Sequence, residues 1–365
     1  MNSTKTTEHS TINNVIERGG ERHEWLNLQW LSEYRNLLMG FAILIIVPYH
    51  FTERGGSTIF DRILFDLFSQ GYVGVDIFMV VSGLGLTYSC LNKYDLKDYY
   101  IKRWVRVFPF YIFITLIEYW CIKGESFRWA MLRATTLGYW FGFSYADWFI
   151  PALVGLYMIF PLIFKTIVEP KRYWTALSIG FLCLAASILI ANNELTEWDY
   201  WKHLAFVYRI PDFLTGCMAA TAINHGYDKR VVLRFVLISG TLGIMFLIFK
   251  IGKEYYLWFT NLGLTPFYLL VLCWFFNKLK KFYLGKIILS AIGFTGLITL
   301  ELYRISSSFE RLLTNEACPN FHAFYVFLWL FVSIILSYIA HLIFKRINKI
   351  LLHKLVNITF KDNST

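Results

Sequence analysis

The sequence predicts an all-α, polytopic membrane helical bundle, on three observations. The first is composition: 56% of the 365 residues are hydrophobic, only 16% are charged, and the mean hydropathy is +0.48. Soluble domains carry about a quarter charged residues. A chain this long also has mass enough to hide an ordinary apolar fraction in one core, so the excess must face lipid. The second observation is length. Ten apolar stretches approach the roughly 20 residues that a bilayer demands, at about 36–52, 71–90, 107–122, 148–165, 174–191, 203–224, 231–249, 255–276, 285–303 and 323–344. Lipid offers backbone N–H and C=O groups no partner, and these runs lack the two-residue alternation of a barrel strand, so they must be helices. The third is charge alternation. With the N-terminus placed inside, 24 of the 35 Lys and Arg residues fall in inner segments and 10 in outer ones, with Arg209 left within a span. This Lys/Arg bias predicts both termini on the cytoplasmic side.

Taken in order, residues 1–34 form a polar segment of mixed charge, with neither the apolar core nor the small-residue cleavage site of a secretory signal. Residues 35–345 read as one transmembrane domain. Within it, 123–147 is aromatic-rich but interrupted by Arg128, Arg133, Gly138 and Gly142, which predicts an interfacial or re-entrant piece on the outer side. Residues 346–365 form a basic cytoplasmic tail. The net charge of +10 would suggest nucleic acid in a soluble protein. Here the basic residues are spread over every inner loop, as expected beside an anionic leaflet, and no nucleic-acid partner is expected. The six cysteines are scattered without CxxC or Cys/His spacing, so neither a disulfide framework nor a metal is expected.

Ionisable residues at membrane depth are costly and are functional candidates by default. His50 ends the first span in GFAILIIVPYHF, beside Pro48, and a neutral imidazole there is a proton acceptor near neutral pH. Asp76, in GYVGVDIFMVV, lies at similar depth and could serve the site or cap its helix. Arg209 and Asp212 sit three apart in YRIPDFLTG, able to pair with each other and brace a helix interrupted by Pro211. Glu301 lies toward the outer end of the ninth span, with Arg304 one turn on as its candidate partner. On the inner side, Lys97, Lys102, Arg103 and Arg106 crowd KDYYIKRWVRVFPFY, with Arg103 and Arg106 on one helix face. Such a set is either ordinary positive-inside anchoring or a phosphate clamp. A basic inner mouth and an outer acid/base cluster fit a reaction between a cytosolic anionic donor and an outward acceptor. They fit a proton-coupled transporter equally.

Six runs then carry a resemblance: LSEYRNLLMGFAILIIVPYHF, GYVGVDIFMVVSGLGLTYS, YYIKRWVRVFPFYIF, WFIPALVGLYMIFPLI, RIPDFLTG and GLITLELYRI. In order and spacing they resemble the membrane-bound acyltransferase family 3, from about residue 31 to 345. The resemblance implies an integral membrane enzyme of the cell membrane that moves an acyl group, commonly acetyl from acetyl-CoA, onto a hydroxyl of a carbohydrate or glycoconjugate. His50 matches the family histidine, Arg103 and Arg106 the basic pair on the acyl-CoA side, Ser82 and Gly83 the SG signature, and Trp148 and Pro151 its W-x-x-P. The family arginine position before the histidine is Met39 here, followed by Gly40, and Arg35 one turn earlier resembles a variant form. The Y-L-x-H ending of many members is replaced by Tyr303-Arg304-Ile305-Ser306.

The expectation that follows is a two-ended site. Acyl-CoA phosphates would dock on Arg103, Arg106 and Lys102, with Ser82 along the donor path. His50 would act as general base on the acceptor hydroxyl, Asp76 or Glu301 would orient it, an arginine or a backbone donor would stabilise the thioester oxyanion, and Arg35 would reach into the same site. Trp148, Arg209 and Asp212 are expected on the acceptor side. The rival readings are a carrier or flippase for a sugar or lipid-linked intermediate with Arg209 and Asp212 as its midplane site, a glycosyl-chain enzyme, and a non-catalytic family member.

Overall fold

The computed structural model describes residues 27–52, 59–143, 148–167, 173–192, 205–225, 229–251, 256–314 and 323–362, and every regular element among them is helical. In chain order these are α1 (Gln29–Glu33), α2 (Arg35–Thr52), α3 (Ile59–Phe68), α4 (Val73–Asn92) and α5 (Leu96–Leu116), which continues as a π-helix (Ile117–Ile122). They are followed by α6 (Phe127–Ala134), α7 (Leu137–Trp140), α8 (Phe149–Ile167), α9 (Tyr173–Asn192) and α10 (Ala205–His225). The last five are α11 (Lys229–Phe249), α12 (Tyr256–Leu279), α13 (Tyr283–Leu297), α14 (Thr299–Thr314) and α15 (Ala323–Asp362).

Among the described residues, five helical stretches are long and apolar enough to cross a bilayer: Arg62–Asn92, Leu96–Ile122, Phe149–Ile167, Leu257–Leu279 and Val326–Leu355. A bent pair, Tyr283–Leu297 with Thr299–Ser308, makes a sixth if counted as one span. The other stretches read from the sequence are helical too, but Arg35–His50, Ser178–Leu189 and Val236–Phe249 are shorter apolar helices, and α10 carries Arg209 and Asp212 within its length. The ninth stretch differs most from expectation. It is not one helix, because α13 and α14 meet at Ile298 with a bend of 76°. The third begins earlier than its apolar run, at Leu96, where the Asp95 carboxylate accepts the backbone N–H of Asp98 at 2.6 Å and caps the helix. The segment expected at the outer interface is not a further span but two short helices, α6 and α7; residues 144–147 lie outside the described set. Residues beyond 345 continue α15 to Asp362.

Between helices in lipid there is little hydrophobic drive, so close backbone approach through small residues does the packing. Two reciprocal glycine pairs do this here. A Cβ on Gly83 (α4) would strike the Phe213 carbonyl of α10, and one on Gly216 (α10) would strike the Val80 carbonyl of α4. Likewise Gly40 (α2) abuts the Ile292 carbonyl of α13, and Gly296 (α13) the Asn36 carbonyl of α2. The Ser82-Gly83 pair is therefore split in role: Gly83 closes the α4–α10 contact, and Ser82 lines an interior cavity. Hydroxyls fix α5 on α8, since Tyr99 donates to the Tyr157 carbonyl at 2.9 Å and Tyr100 to the Met158 carbonyl at 3.0 Å.

Candidate active site

One cavity of about 60 Å³ is lined by residues from α2, α4, α5, α8 and α14, among them Arg35, Met39, Ser82, Arg103, Arg106 and Tyr303. The register of each helix explains this. Arg35 and Met39 are one turn apart on α2, and Arg103, Arg106 and Val107 share a face of α5. An arginine at either 35 or 39 thus points into the same space. Among the described residues no carboxylate pairs with Arg35, Arg103 or Arg106, and the Nε atoms of Arg35 and Arg103 are buried without a hydrogen-bond partner. Arg35 and Arg103 are half-buried and Arg106 is exposed, so the guanidinium forks stay hydrated and open to an anion while the two Nε atoms lack a partner. Lys102 turns elsewhere: its ammonium lies 2.6 Å from Asp98 and half its side chain is exposed.

The second cluster lies toward the other end of α2. His50 is half-buried, with its ring 5.5 Å from that of Tyr49. Tyr49 packs on Tyr72 at 5.7 Å, and Tyr72 accepts a hydrogen bond from Asn261 at 2.9 Å. One turn deeper on α4, Asp76 is fully buried and forms an ion pair with Arg209 of α10. The Arg209 guanidinium also lies over the rings of Trp148, at 5.5 Å, and Tyr208, at 4.6 Å, with Asp212, Tyr49, Tyr72 and Tyr268 within electrostatic reach. The sequence pairing of Arg209 with Asp212 is therefore corrected in its contact partner, which is Asp76 across the helix interface. Asp212 remains beside it, buried, with Oδ2 unpartnered among the described residues. Pro211 does not interrupt the helix, because α10 runs through it from Ala205 to His225.

Between the two clusters stands an aromatic layer. Phe78 meets Phe149 at 5.9 Å, Phe149 meets Tyr303 at 4.9 Å, and all three line the arginine cavity. On its other side Phe149 packs edge-on against Trp148 at 6.1 Å, the ring that carries Arg209.

Glu301 is placed differently from its expected pairing. Its Oε1 lies 3.0 Å from Nδ1 of His341 on α15, while Arg304 pairs with Glu118 at 2.8 Å. The cavity-lining residues of α14 are Thr299, Leu300 and Tyr303. The helical period then puts Glu301, Arg304 and Ser308 on the opposite face, toward α5 and α15. His341, Glu118 and Tyr303 escaped sequence reading. His341 was hidden in an apolar run, and the others have partners remote in sequence, although Tyr303 stood within a resemblance-bearing run.

Against known families, residues 33–346 match the model of the acyltransferase domain Acyl_transf_3. No curated protein matches the chain, and no solved structure does. With a matched region that takes in every helix of the arginine cavity, the protein is a membrane acyltransferase that belongs to the acyltransferase family 3.

Proposed function

We propose that this acyltransferase is an O-acyltransferase of the cell membrane, using acyl-CoA, commonly acetyl-CoA, as donor and a hydroxyl of a carbohydrate or glycoconjugate as acceptor. The observation that supports the donor half is the convergence of Arg35, Arg103 and Arg106 on one cavity with no carboxylate partner among the described residues. Guanidinium forks suit phosphate oxygens, and a diphosphate supplies the charge these three lack. The positive-inside bias read from the sequence places this end, and both termini, on the cytosolic side, where CoA is found.

The donor must then be long. Arg35 and His50 lie fifteen residues apart on one helix, which is about 22 Å at 1.5 Å per residue. A pantetheine arm has the shape for that distance, but it must pass the layer of Phe78, Phe149 and Tyr303, so those rings move when donor enters. At the far end His50 accepts the proton of the acceptor hydroxyl as its oxygen attacks the thioester carbonyl. The new C–O bond forms, the C–S bond breaks, and CoA leaves as thiolate to be protonated from cytosolic water. The Asp76–Arg209 pair, Asp212 and Trp148 shape the acceptor side, where an arginine over an indole offers a polar edge and a flat face to a sugar ring.

The test is acetyl release from labelled acetyl-CoA by membranes carrying wild type, His50→Ala or Arg103→Ala, supplied with a crude glycan or lipid-linked acceptor fraction. Loss of kcat in His50→Ala and a raised donor KM in Arg103→Ala are expected. Protein-dependent turnover indifferent to both changes would overturn the mechanism.

A further inference from the structure

Arg35 lines two cavities at once. One is the arginine cavity described above; the other, of about 310 Å³, opens at the end of the bundle and is walled by Ser32, Glu33, Asn36, Leu84, Gly85 and Tyr88 as well as Arg35. Arg35 is thus the residue common to both spaces. What lets its side chain lie there is a missing one. A Cβ built on Gly85 would stand 2.5 Å from both Cζ and Nη2 of Arg35 and 2.8 Å from its Nε, nearer than real Cβ atoms approach anything. The acid on the outer wall, Glu33, is engaged by Lys280 at 3.3 Å.

The nature of this clash sets Gly85 apart from the other close glycines of the bundle. At Gly83, Gly216, Gly40 and Gly296 a side chain would strike backbone of a neighbouring helix, so two helices would have to part. At Gly85 the nearest atoms all belong to the far end of one flexible side chain, which can rotate away at small cost to the fold. A methyl group there displaces Arg35 and little else.

We propose that Gly85 is a positioning residue: it seats the Arg35 guanidinium against α4 at the threshold between the two cavities. From that seat Arg35 acts with Arg103 and Arg106 as the third cation for the anionic groups of the donor. The inference rests on the acyl-CoA reading given above, but its own content, the seat, can be tested separately.

The first measurement is CoA binding to the detergent-solubilised protein, with no acceptor present, for wild type, Gly85→Ala, Arg35→Ala and the double variant. Arg35→Ala is expected to weaken binding roughly 10-fold or more, the loss of a charge-assisted hydrogen bond. Gly85→Ala should weaken it several-fold, and the double variant should bind no worse than Arg35→Ala alone, because the displaced group is gone. Full additivity of the two changes, or an unaltered Gly85→Ala, would overturn the seat. The second measurement needs no ligand: phenylglyoxal labelling of Arg35, located by peptide mass, in wild type and Gly85→Ala protein of matched thermal stability. A changed labelling rate is expected, and an equal rate would overturn the proposal. If wild type fails to bind CoA while the labelling rate changes, the donor reading falls and the seat stands.

Discussion

Replacing Glu118 is expected to cost more stability than replacing Arg304, although both changes break the same ion pair. The guanidinium Nη2 lies 2.8 Å from Glu118 Oε2, with side chains 0% and 1% exposed. Glu118 has a second cation, since its Oε1 is 3.1 Å from the Lys123 ammonium, whose side chain is 25% exposed. It also accepts the Ser308 hydroxyl at 2.8 Å. Arg304→Met therefore leaves a carboxylate that keeps a cation and a hydroxyl, a loss of about 1.5–3 kcal/mol, the range for a hydrogen bond to a charged group. Glu118→Leu removes the buried carboxylate 2.8 Å from the fully buried guanidinium, whose other contacts include the neutral hydroxyls of Ser308, at 2.7 Å, and Thr115, at 3.3 Å. Removing one partner of a buried pair in that manner costs about 3–5 kcal/mol. The double variant, apolar on both sides, should return to within about 1 kcal/mol of wild type or exceed it. Reversible unfolding of the purified protein in mixed SDS micelles measures all three. Because this face of α14 points away from the arginine cavity, kcat per folded molecule should not change. Equal losses for the two single variants, or losses that simply add in the double variant, would refute the reasoning.

Phe149→Ala should open the layer between the two clusters, so that acetyl-CoA hydrolysis without acceptor rises several-fold as water reaches the thioester; an unchanged background rate in a hydrolysis assay would argue that the layer does not seal the donor path. Alkaline stability should depend on Tyr34. Burial raises its pKa above the ordinary 10.0, and the hydrogen bond that Lys280 donates to it at 2.8 Å raises that of the lysine above 10.5. The folded protein thus holds protons more tightly than the unfolded chain. The stability these groups contribute is present below about pH 10 and lost as pH rises through the raised values. Tyr34→Phe should make thermal stability fall less steeply above pH 10, checked by melting curves between pH 8 and 11.

What the sequence made legible was whatever local spacing encodes. Arg103 and Arg106 at i and i+3 had to share a face, and the distance from Arg35 to His50 along one helix followed from residue number alone. Ser82 beside Gly83 gave a polar side chain next to a packing contact. Partners across helices were not legible in this way. Arg209 has an acid three residues away, yet its contact is with Asp76 on another helix. Glu301 has Arg304 one turn on, yet it meets His341. At membrane depth a charge reaches inward to a neighbouring helix, where lipid is excluded, and helical spacing cannot say which neighbour that is. The break at Ile298 was hidden for a related reason, because hydropathy runs smoothly across it, and the adjoining contact of Gly296 with Asn36 on α2 is between helices.

The last helix, α15, has 40 residues, which is about 60 Å of continuous rod against a hydrocarbon core of about 30 Å. A straight helix of that length outruns the hydrocarbon core by about half its length, and Lys345, Arg346, Lys349 and Lys354 lie in its C-terminal part. A helical protein fused in register to its projecting end would inherit the tilt of the rod, and so provide a rigid fiducial for imaging.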